Sequence, residues 1–142
     1  MNSIRDQVAA LDTNEFIFAL RRAASHPACE ILLFDRLNEF QIYIPLQILL
    51  ELQCNLSRNE MHDLFLILTK AKAVTWDYMP APIALVRQGE SRGAKKGDAV
   101  ITAHLESANV RYLISENRHF LAELPNLPFE VLTSAEALQG LD

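Results

Sequence analysis

Apolar residues follow two alternating spacings along the first part of the chain, and these predict strands and helices. Val8–Leu11 is a short apolar run, and apolar residues in Asp12–Ala24 then recur at helical spacing. Ala28–Phe40 has the same helical spacing, whereas Phe40–Ile44 alternates with the period of two that is typical of a strand. We therefore predict a strand, two helices and a second strand.

The rest of the chain continues the alternation. Pro45 suits the first turn of a helix that runs to Leu56, because a proline there gives up only an amide without a helical partner. Ser57 and Glu60 form a capping-box pattern before a helix over Met61–Ala73. The remaining predicted elements are a strand at Val74–Trp76, helices at Ala81–Gln88 and Gly97–Ala108, strands at Tyr112–Ser115 and Phe129–Leu132, and a last helix at Ser134–Leu138.

Strands that alternate with helices predict an α/β protein with right-handed crossovers and a mostly parallel sheet. We expect a three-layer α/β/α sandwich with about four or five strands in its central sheet. The chain has 142 residues, the length of one ordinary domain. We therefore assign residues 1–142 to a single domain.

Charge and cysteine usage narrow the class of protein. The formal net charge of −5 argues against a protein that binds nucleic acid mainly by bulk electrostatics. Cys29 and Cys54 stand in no metal-binding or redox spacing, so we expect reduced thiols that pack as small core residues in a cytoplasmic protein. No apolar run approaches the roughly 20 residues that a membrane helix needs, and no membrane segment is expected.

Polar side chains follow the predicted strands at the edge where parallel α/β sheets bind ligands. Asp12 directly follows the first strand, and Asn117 stands two residues past Ser115, where a later strand ends. Glu51 lies in the second turn of the helix after the second strand, and Asp98 opens a later helix. Three carboxylates and an amide that meet there would offer oxygen ligands to a hard cation such as Mg²⁺, which supports phosphodiester hydrolysis.

Each of these four residues also has a simpler explanation. Asp12, with Glu15 three positions on, fits a helix N-cap, and Asp98 fits one too. Glu51 lies off the main apolar stripe of its helix and fits a solvent-facing glutamate, while Asn117 is a common turn residue. Only the four residues together indicate a site.

Taken in order, these residues resemble a PIN domain, the metal-dependent ribonuclease fold shared by many bacterial toxins of the VapC type. "VAALDTNEF" resembles the opening strand of the family with its acid, small hydroxyl residue and Asn. "IPLQILLEL" resembles the segment that carries the helical Glu of the family. "KKGDAVITAHLESANVRYLISENRHF" resembles the stretch from the central Asp to the strand with the Thr-x-Asp motif. The resemblance spans nearly the whole chain.

The resemblance implies an Mg²⁺ or Mn²⁺ site with Asp12, Glu51 and Asp98 as its acidic residues. Asn117 would stand in place of the fourth acid of the family. An Asn offers a carbonyl oxygen but no negative charge, so we expect it to weaken a second cation more than a first. The residues that would support the site are Thr13, Asn14 and Ser115.

The resemblance also implies a substrate and partners. RNA would be the substrate, and basic side chains near the acids would form a positive rim for its phosphates. These basic residues, which would equally suit a solvated loop, are Arg92, Lys95, Lys96 and Arg118. A small antitoxin protein and a second copy of the chain are the implied protein partners.

Three functions remain for comparison with the structure. The first is a metal-dependent endoribonuclease that hydrolyses RNA phosphodiester bonds, as the toxin of a type II toxin–antitoxin pair. The second, motivated by Asn117, is a non-catalytic PIN-like module that binds RNA or protein. The third, a phospho-acceptor receiver domain, shares the sheet architecture. It is disfavoured because Asp12 has no adjacent acid and no Lys follows Phe129–Leu132.

Overall fold

The computed structural model describes residues 4–142. The protein folds around one β-sheet. Five strands lie in the order β3-β2-β1-β4-β5, and each neighbouring pair is parallel. The strands are β1 Val8–Leu11, β2 Gln41–Pro45, β3 Ala73–Asp77, β4 Tyr112–Ile114 and β5 Glu130–Leu132. Helices flank this sheet. The predicted α/β class and parallel sheet are therefore confirmed.

The α-helices connect successive strands and follow the last one. They are α1 Thr13–Leu20, α2 Pro27–Glu30, α3 Leu46–Asn55, α4 Arg58–Leu68, α5 Ile83–Ser91, α6 Lys96–Ser107 and α7 Ser134–Gln139. Short turns of tighter or wider helix lie at Ile4–Asp6, Ile31–Asp35, Leu37–Glu39 and His119–Glu123. Among the described residues 4–142, no helix is long and apolar enough to cross a membrane.

The strand order reverses between β1 and β4. From β1 the chain moves outward to β2 and β3, and it then crosses back to place β4 on the other side of β1. Leu11 lies opposite Ile114 in the sheet, and the backbone amide of Asp12 donates to the carbonyl of Ile114 at 2.9 Å. Asp12 and Ser115 therefore leave the sheet side by side, at the kind of crevice where open α/β sheets bind ligands.

The central strands are buried on both faces, as parallel strands usually are. Ala9, Ala10 and Leu113 are fully buried, and Ile42 and Ile44 are nearly so. At one edge of the sheet, by contrast, β3 is only partly buried. The sheet core thus centres on β1 and its two neighbours, next to the point of strand reversal.

Two predicted helices end earlier than their apolar spacing indicated. The first helix stops at Leu20 rather than Ala24, because Arg22 has a φ of 51°, in the left-handed region that does not continue a right-handed helix. The helix α4 stops at Leu68 rather than Ala73, because Ala73 pairs with β2 as the first residue of β3. Sheet pairing and a local left-handed residue override the spacing.

The predicted helix over Ala28–Phe40 is wrong as a single element. It is divided into α2, a wider turn and a tighter one, with Arg36 between the last two at φ −123° and ψ 7°. This break lets both Leu37 and Phe40 enter the core. Pro45 is also displaced from its predicted place, since it ends β2 and precedes the first turn of α3.

The capping and cysteine predictions have mixed outcomes. The Ser57 hydroxyl accepts from the amide of Glu60 at 3.1 Å, and the Glu60 carboxylate accepts from the amide of Ser57 at 2.9 Å, so the predicted capping box is confirmed. Cys29 is buried as predicted. The prediction for Cys54 was wrong, because Cys54 is exposed and lies off the buried face of α3 that Ile48 and Leu52 form.

Candidate functional site

Asp12 begins α1 directly after β1, and hydrogen bonds hold both oxygens of its carboxylate. As the N-cap residue it accepts from the amide of Thr13 through Oδ1 at 2.8 Å. Ser115 donates its hydroxyl to Oδ2, also at 2.8 Å. Asp12 is a helix cap, and only 5% of it is exposed. The carboxylate is therefore fixed between the ends of β1 and β4.

Glu51 reaches from α3 toward the start of α1 and is also held at both oxygens. The Thr13 hydroxyl donates to Oε1 at 2.6 Å, and the Gln47 side-chain amide donates to Oε2 at 2.8 Å. The start of α6 comes close to this carboxylate, since a β-carbon on Gly97 would lie 3.5 Å from Oε2. Glu51 is half-buried and hydrogen-bonded to side chains of α1 and α3, so it is not a freely solvated side chain.

Asp98 is the third residue of α6 and does not cap it. The cap residue of α6 is Lys95, and no side chain makes the capping hydrogen bond there. The carboxylate of Asp98 instead lies close enough to the side chain of Asn117, in the loop after β4, for that side chain to lower its pKa. Asp98 therefore connects α6 to this loop.

Asn117 has its side-chain groups engaged within the protein. Its amide nitrogen on the backbone donates to the Ser115 hydroxyl at 2.9 Å. Its side-chain carbonyl oxygen accepts from the backbone amide of His119 at 3.0 Å. Its side chain also lies near the carboxylate of Asp98 and lowers the pKa of that group. Because the carbonyl oxygen accepts from His119, the side-chain NH₂ is the group available to the Asp98 carboxylate. The contacts of Asn117 thus position Ser115 and Asp98.

Burial and neighbouring charges shift the pKa values of Asp12 and Asp98. Burial raises the pKa of Asp12 to about 6, hydrogen bonds from Ser115 and Thr13 oppose that rise, and the charges of Glu51 and Asp98 add to it. The pKa of Asp98 is also raised, mainly by burial, and the Glu51 charge contributes. A cation near these carboxylates would reduce both effects, and oxygen donors of this kind suit Mg²⁺ or Mn²⁺.

The other residues singled out from the sequence lie at varying distances from the acids. Thr13 and Ser115 contact the carboxylates directly, and Asn14 is exposed in the first turn of α1. Lys95 is near enough to lower the pKa of Asp98. All four basic residues of the predicted rim are exposed: Arg92, Lys95, Lys96 and Arg118.

Sequence reasoning missed two features near this site. The first is Gln47, which the spacing of four residues to Glu51 on one helix could have indicated. The second is a separate group formed by Glu15, Cys29 and Glu116, whose possible ligand atoms all lie within 4.8 Å of one another. Within residues 4–142 the three predicted acids do not form so compact a group. A hard cation among them would have to keep some of its waters, as Mg²⁺ usually does.

Comparisons with known proteins bear on the fold. No family model matches the sequence, and no curated protein matches it either. Among solved structures, a chain in the crystal structure of VapBC2 from Rickettsia felis, bound to a DNA fragment from their promoter, matches with a TM-score of 0.58. The two chains are 20% identical, and the match covers 87% of this chain and 98% of that one. This likeness establishes a PIN-like fold.

Replacing Asp12 with Asn should stabilise the metal-free protein at neutral and alkaline pH. The neutral side chain can keep the cap to Thr13, and it removes a charge that burial, Glu51 and Asp98 disfavour. Because the pKa of Asp12 is raised to about 6, the gain is present above that pH and is lost as the pH falls toward the ordinary value of 3.8. The gain should be on the order of 1 to 3 kcal/mol at most.

Thermal unfolding in EDTA at about pH 8 and about pH 5 measures this difference. Asp63→Asn, at an exposed acid on α4, is the matched control and should change stability little at either pH. A gain for Asp12→Asn that is as large at the lower pH as at the higher would contradict the charge-based explanation.

Proposed function

We propose that this protein is a metal-dependent endoribonuclease that hydrolyses RNA phosphodiester bonds. The observation that carries the proposal is the convergence of Asp12, Glu51 and Asp98 where the strand order reverses in a PIN-like sheet. Ligands bind at such a reversal in open α/β sheets, and clustered carboxylates suit a cation that acts on phosphate.

Mg²⁺ or Mn²⁺ is the cofactor that this set of oxygen donors fits. Asp12 and Asp98 would hold it directly, with Glu51 completing the acidic surface. When bound, such a cation lowers the pKa of an attacking water and screens the charge on the scissile phosphate. Thr13 and Ser115 orient two of these carboxylates through the hydrogen bonds described above.

In this proposal Asn117 orients Asp98 and contributes no charge of its own. Its carbonyl oxygen accepts from the His119 amide, and its side chain lies near enough to Asp98 to lower the pKa of that carboxylate. The site then has three negative charges rather than four. Three carboxylates can balance the charge of one divalent cation but not that of two cations. We therefore propose that the working site holds a single cation.

RNA phosphates would approach across an exposed basic rim. Lys95 and Lys96 stand at the start of α6, two or three residues from Asp98, and Arg92 follows the end of α5. Arg118 comes directly after Asn117. A local rim of this kind is sufficient to position a phosphate backbone despite the net charge of −5.

Asp98→Asn should abolish RNA cleavage while leaving the fold intact. The change removes one carboxylate from the site but keeps a side chain that can bond to Asn117. Loss of an outer partner of a metal ligand alone costs about 10–100-fold, so losing a ligand should reduce the cleavage rate at least about 100-fold. Gel analysis of a structured RNA with Mg²⁺ or Mn²⁺ measures the rate.

The exposed acid Asp63 again provides the control, since Asp63→Asn makes the same chemical change outside the site and should cleave at the wild-type rate. EDTA should stop cleavage by the wild type. Undiminished cleavage by purified Asp98→Asn would rule out the assignment of these acids.

A second candidate function is a non-catalytic PIN-like module that binds RNA or protein. The engagement of the Asn117 carbonyl by His119 favours it, because that oxygen is then less available to a metal. Such a module would bind Mn²⁺ weakly or not at all. The two functions therefore differ in the metal affinity of the wild-type chain.

Calorimetry with Mn²⁺ should separate the two functions. For the ribonuclease we expect heat from binding to the wild type, and tighter binding by about tenfold or more in Asn117→Asp because a fourth carboxylate is added. Asn38→Asp, at an exposed residue in the turn before β2, should bind as the wild type does. If Mn²⁺ gives heat of binding with Asn117→Asp but none with the wild type, the result would favour the non-catalytic module instead.

We further propose a role as the toxin of a type II toxin–antitoxin pair, with a small antitoxin protein as partner and a cytoplasmic location. The fold likeness to a chain of a VapBC2 complex supports this role. The acidic site itself defines what an inhibitory partner would need, because a segment that covers three carboxylates should bring a basic side chain to them.

A homodimer is the assembly that the exposed apolar surface favours. Tyr78, Met79 and Ile83 follow the edge strand β3 and are 63%, 71% and 67% exposed. Phe65 on α4 is 46% exposed and packs against Trp76 of β3, with ring centroids 5.5 Å apart. A cluster of large apolar side chains beside a sheet edge is typical of a contact surface.

The double change Met79→Lys and Ile83→Lys should convert this dimer to a monomer. It places two charges in the apolar surface and removes no core residue, since both side chains are mainly exposed. Light scattering after gel filtration gives the mass directly. Ile31→Lys, at an apolar residue that is 44% exposed outside this surface, should remain dimeric. A wild-type protein that is monomeric at micromolar concentrations would contradict the proposal.

A further inference from the structure

A second group of metal-ligating side chains lies beside the acidic site but belongs to a different set of contacts. It comprises Glu15 of α1, Cys29 of α2 and Glu116 of the loop after β4, with Ser134 of α7 next to them. The separations along the chain are long, since Cys29 and Ser134 are 105 residues apart. The fold, rather than local sequence, therefore brings these side chains together.

Glu116 points away from the acidic site even though it stands between two residues that line it. The Ser115 hydroxyl donates to Asp12, whereas the Glu116 carboxylate accepts from the backbone amide of Ser134 at 3.0 Å. Successive side chains of an extended segment point to opposite sides, which accounts for the division. Burial raises the pKa of Glu15 to about 9, and the other contributions come from Glu116, Cys29 and Ser134, so this group forms its own electrostatic unit.

Two features of Glu15 call for a further ligand. Its side chain is 2% exposed, and its Oε2 accepts from the Cys29 thiol at 2.9 Å and from the Ser134 hydroxyl. Its Oε1 is buried and, within the described chain, has no hydrogen-bond donor unless Glu116 is protonated. The carboxylate of Glu116 lies beside it and disfavours a second negative charge. A buried carboxylate in this position needs either a proton or a cation.

The donor set identifies the class of cation. One sulfur and two carboxylates suit a borderline-soft ion such as Zn²⁺, whereas Mg²⁺ and Mn²⁺ prefer oxygen alone. Metal–ligand lengths of about 2.0–2.3 Å place tetrahedral ligands roughly 3.5 Å apart. The Cys29 sulfur lies 3.6 Å from the Ser134 hydroxyl, which matches that spacing. It lies 2.9 Å from Glu15 Oε2, so these two ligands would move apart on binding.

We propose that Glu15, Cys29 and Glu116 form a structural site for Zn²⁺ or a similar borderline-soft divalent cation, separate from the acidic site. The fourth position is taken by the Ser134 hydroxyl or a water. The half-buried Glu116 gives the ion its path from solvent. On binding, the ion displaces the thiol proton of Cys29 and the proton held by Glu15, because both ligands coordinate as anions. The site joins α1, α2 and α7 to the loop that carries Asn117.

Absorption spectroscopy with Co²⁺ tests the site without relying on RNA cleavage. The chelator-treated full chain should develop a thiolate-to-cobalt charge-transfer band that saturates at one equivalent. Cys29→Ser should lose this band. Cys54→Ser is the matched control, because Cys54 is an exposed cysteine on α3, and it should keep the band unchanged. Asp98→Asn should also keep the band, since it alters only the acidic site.

Thermal unfolding with Zn²⁺ provides a second readout that does not depend on removing a buried residue. Zn²⁺ should raise the unfolding temperature of the wild type and of Cys54→Ser. Glu116→Gln can still accept from the Ser134 amide, so it should fold normally and weaken Zn²⁺ binding at least about tenfold.

Three results would overturn the proposal. The wild type could give no charge-transfer band, the band could be lost in Cys54→Ser and kept in Cys29→Ser, or Zn²⁺ could stabilise Glu116→Gln as much as the wild type. The first and third results would mean that Glu15 and Glu116 share only a proton. None of these results affects the proposed ribonuclease, whose failure would appear in Asp98→Asn and in Mn²⁺ binding.

Discussion

The buried carboxylate of Asp12 is the constraint on which the rest of the site depends. It stands where β1 ends, next to the start of the β4 loop, and its oxygens are bonded to the Thr13 amide and the Ser115 hydroxyl. These bonds fix its direction but do not neutralise it. Burial and two neighbouring acids raise its pKa, so the fold holds a charge that it does not itself compensate. A divalent cation is the simplest compensation.

A short chain of hydrogen bonds transmits this arrangement to the surrounding elements. Thr13 bonds to Asp12 through its amide and to Glu51 through its hydroxyl, so one residue sets two carboxylates. On the other side, Ser115 bonds to Asp12 and receives the amide of Asn117, whose side chain reaches Asp98. The three acids thus come from the cap of α1, from α3 and from α6, but one chain of contacts links them. Such networks favour a single geometry because each member restricts the next.

The strand pattern and the places of the acids could be predicted from the sequence because they depend on local spacing and on parallel connection rules. Asp12 and Asn117 follow strands in the chain, and parallel strands present their carboxyl ends at one edge. Helix ends were less predictable. Arg22 stops α1 through a left-handed backbone, and Ala73 leaves α4 for the sheet, and neither event is encoded in apolar spacing.

The functions of individual polar side chains also could not be predicted from the sequence. From the sequence, Asn117 could be a metal ligand or a turn residue. Only its contacts in the fold, with the His119 amide and near Asp98, favour a positioning role. The group of Glu15 and Cys29 has no recognisable spacing, because its members meet through helix packing and through the distant α7. Long-range contacts of this kind depend on the tertiary fold rather than on a local motif.

The central claim is that Asp12 carries a buried charge that a divalent cation compensates. The most direct test of this claim is a carbon-13 NMR titration of the Asp12 carboxyl group with and without Mg²⁺. Without the cation, we expect a midpoint near 6, well above the ordinary value of 3.8. With saturating Mg²⁺, the midpoint should fall below that ordinary value, because the bound cation favours the carboxylate. A midpoint near 3.8 that Mg²⁺ leaves unchanged would contradict this claim about Asp12.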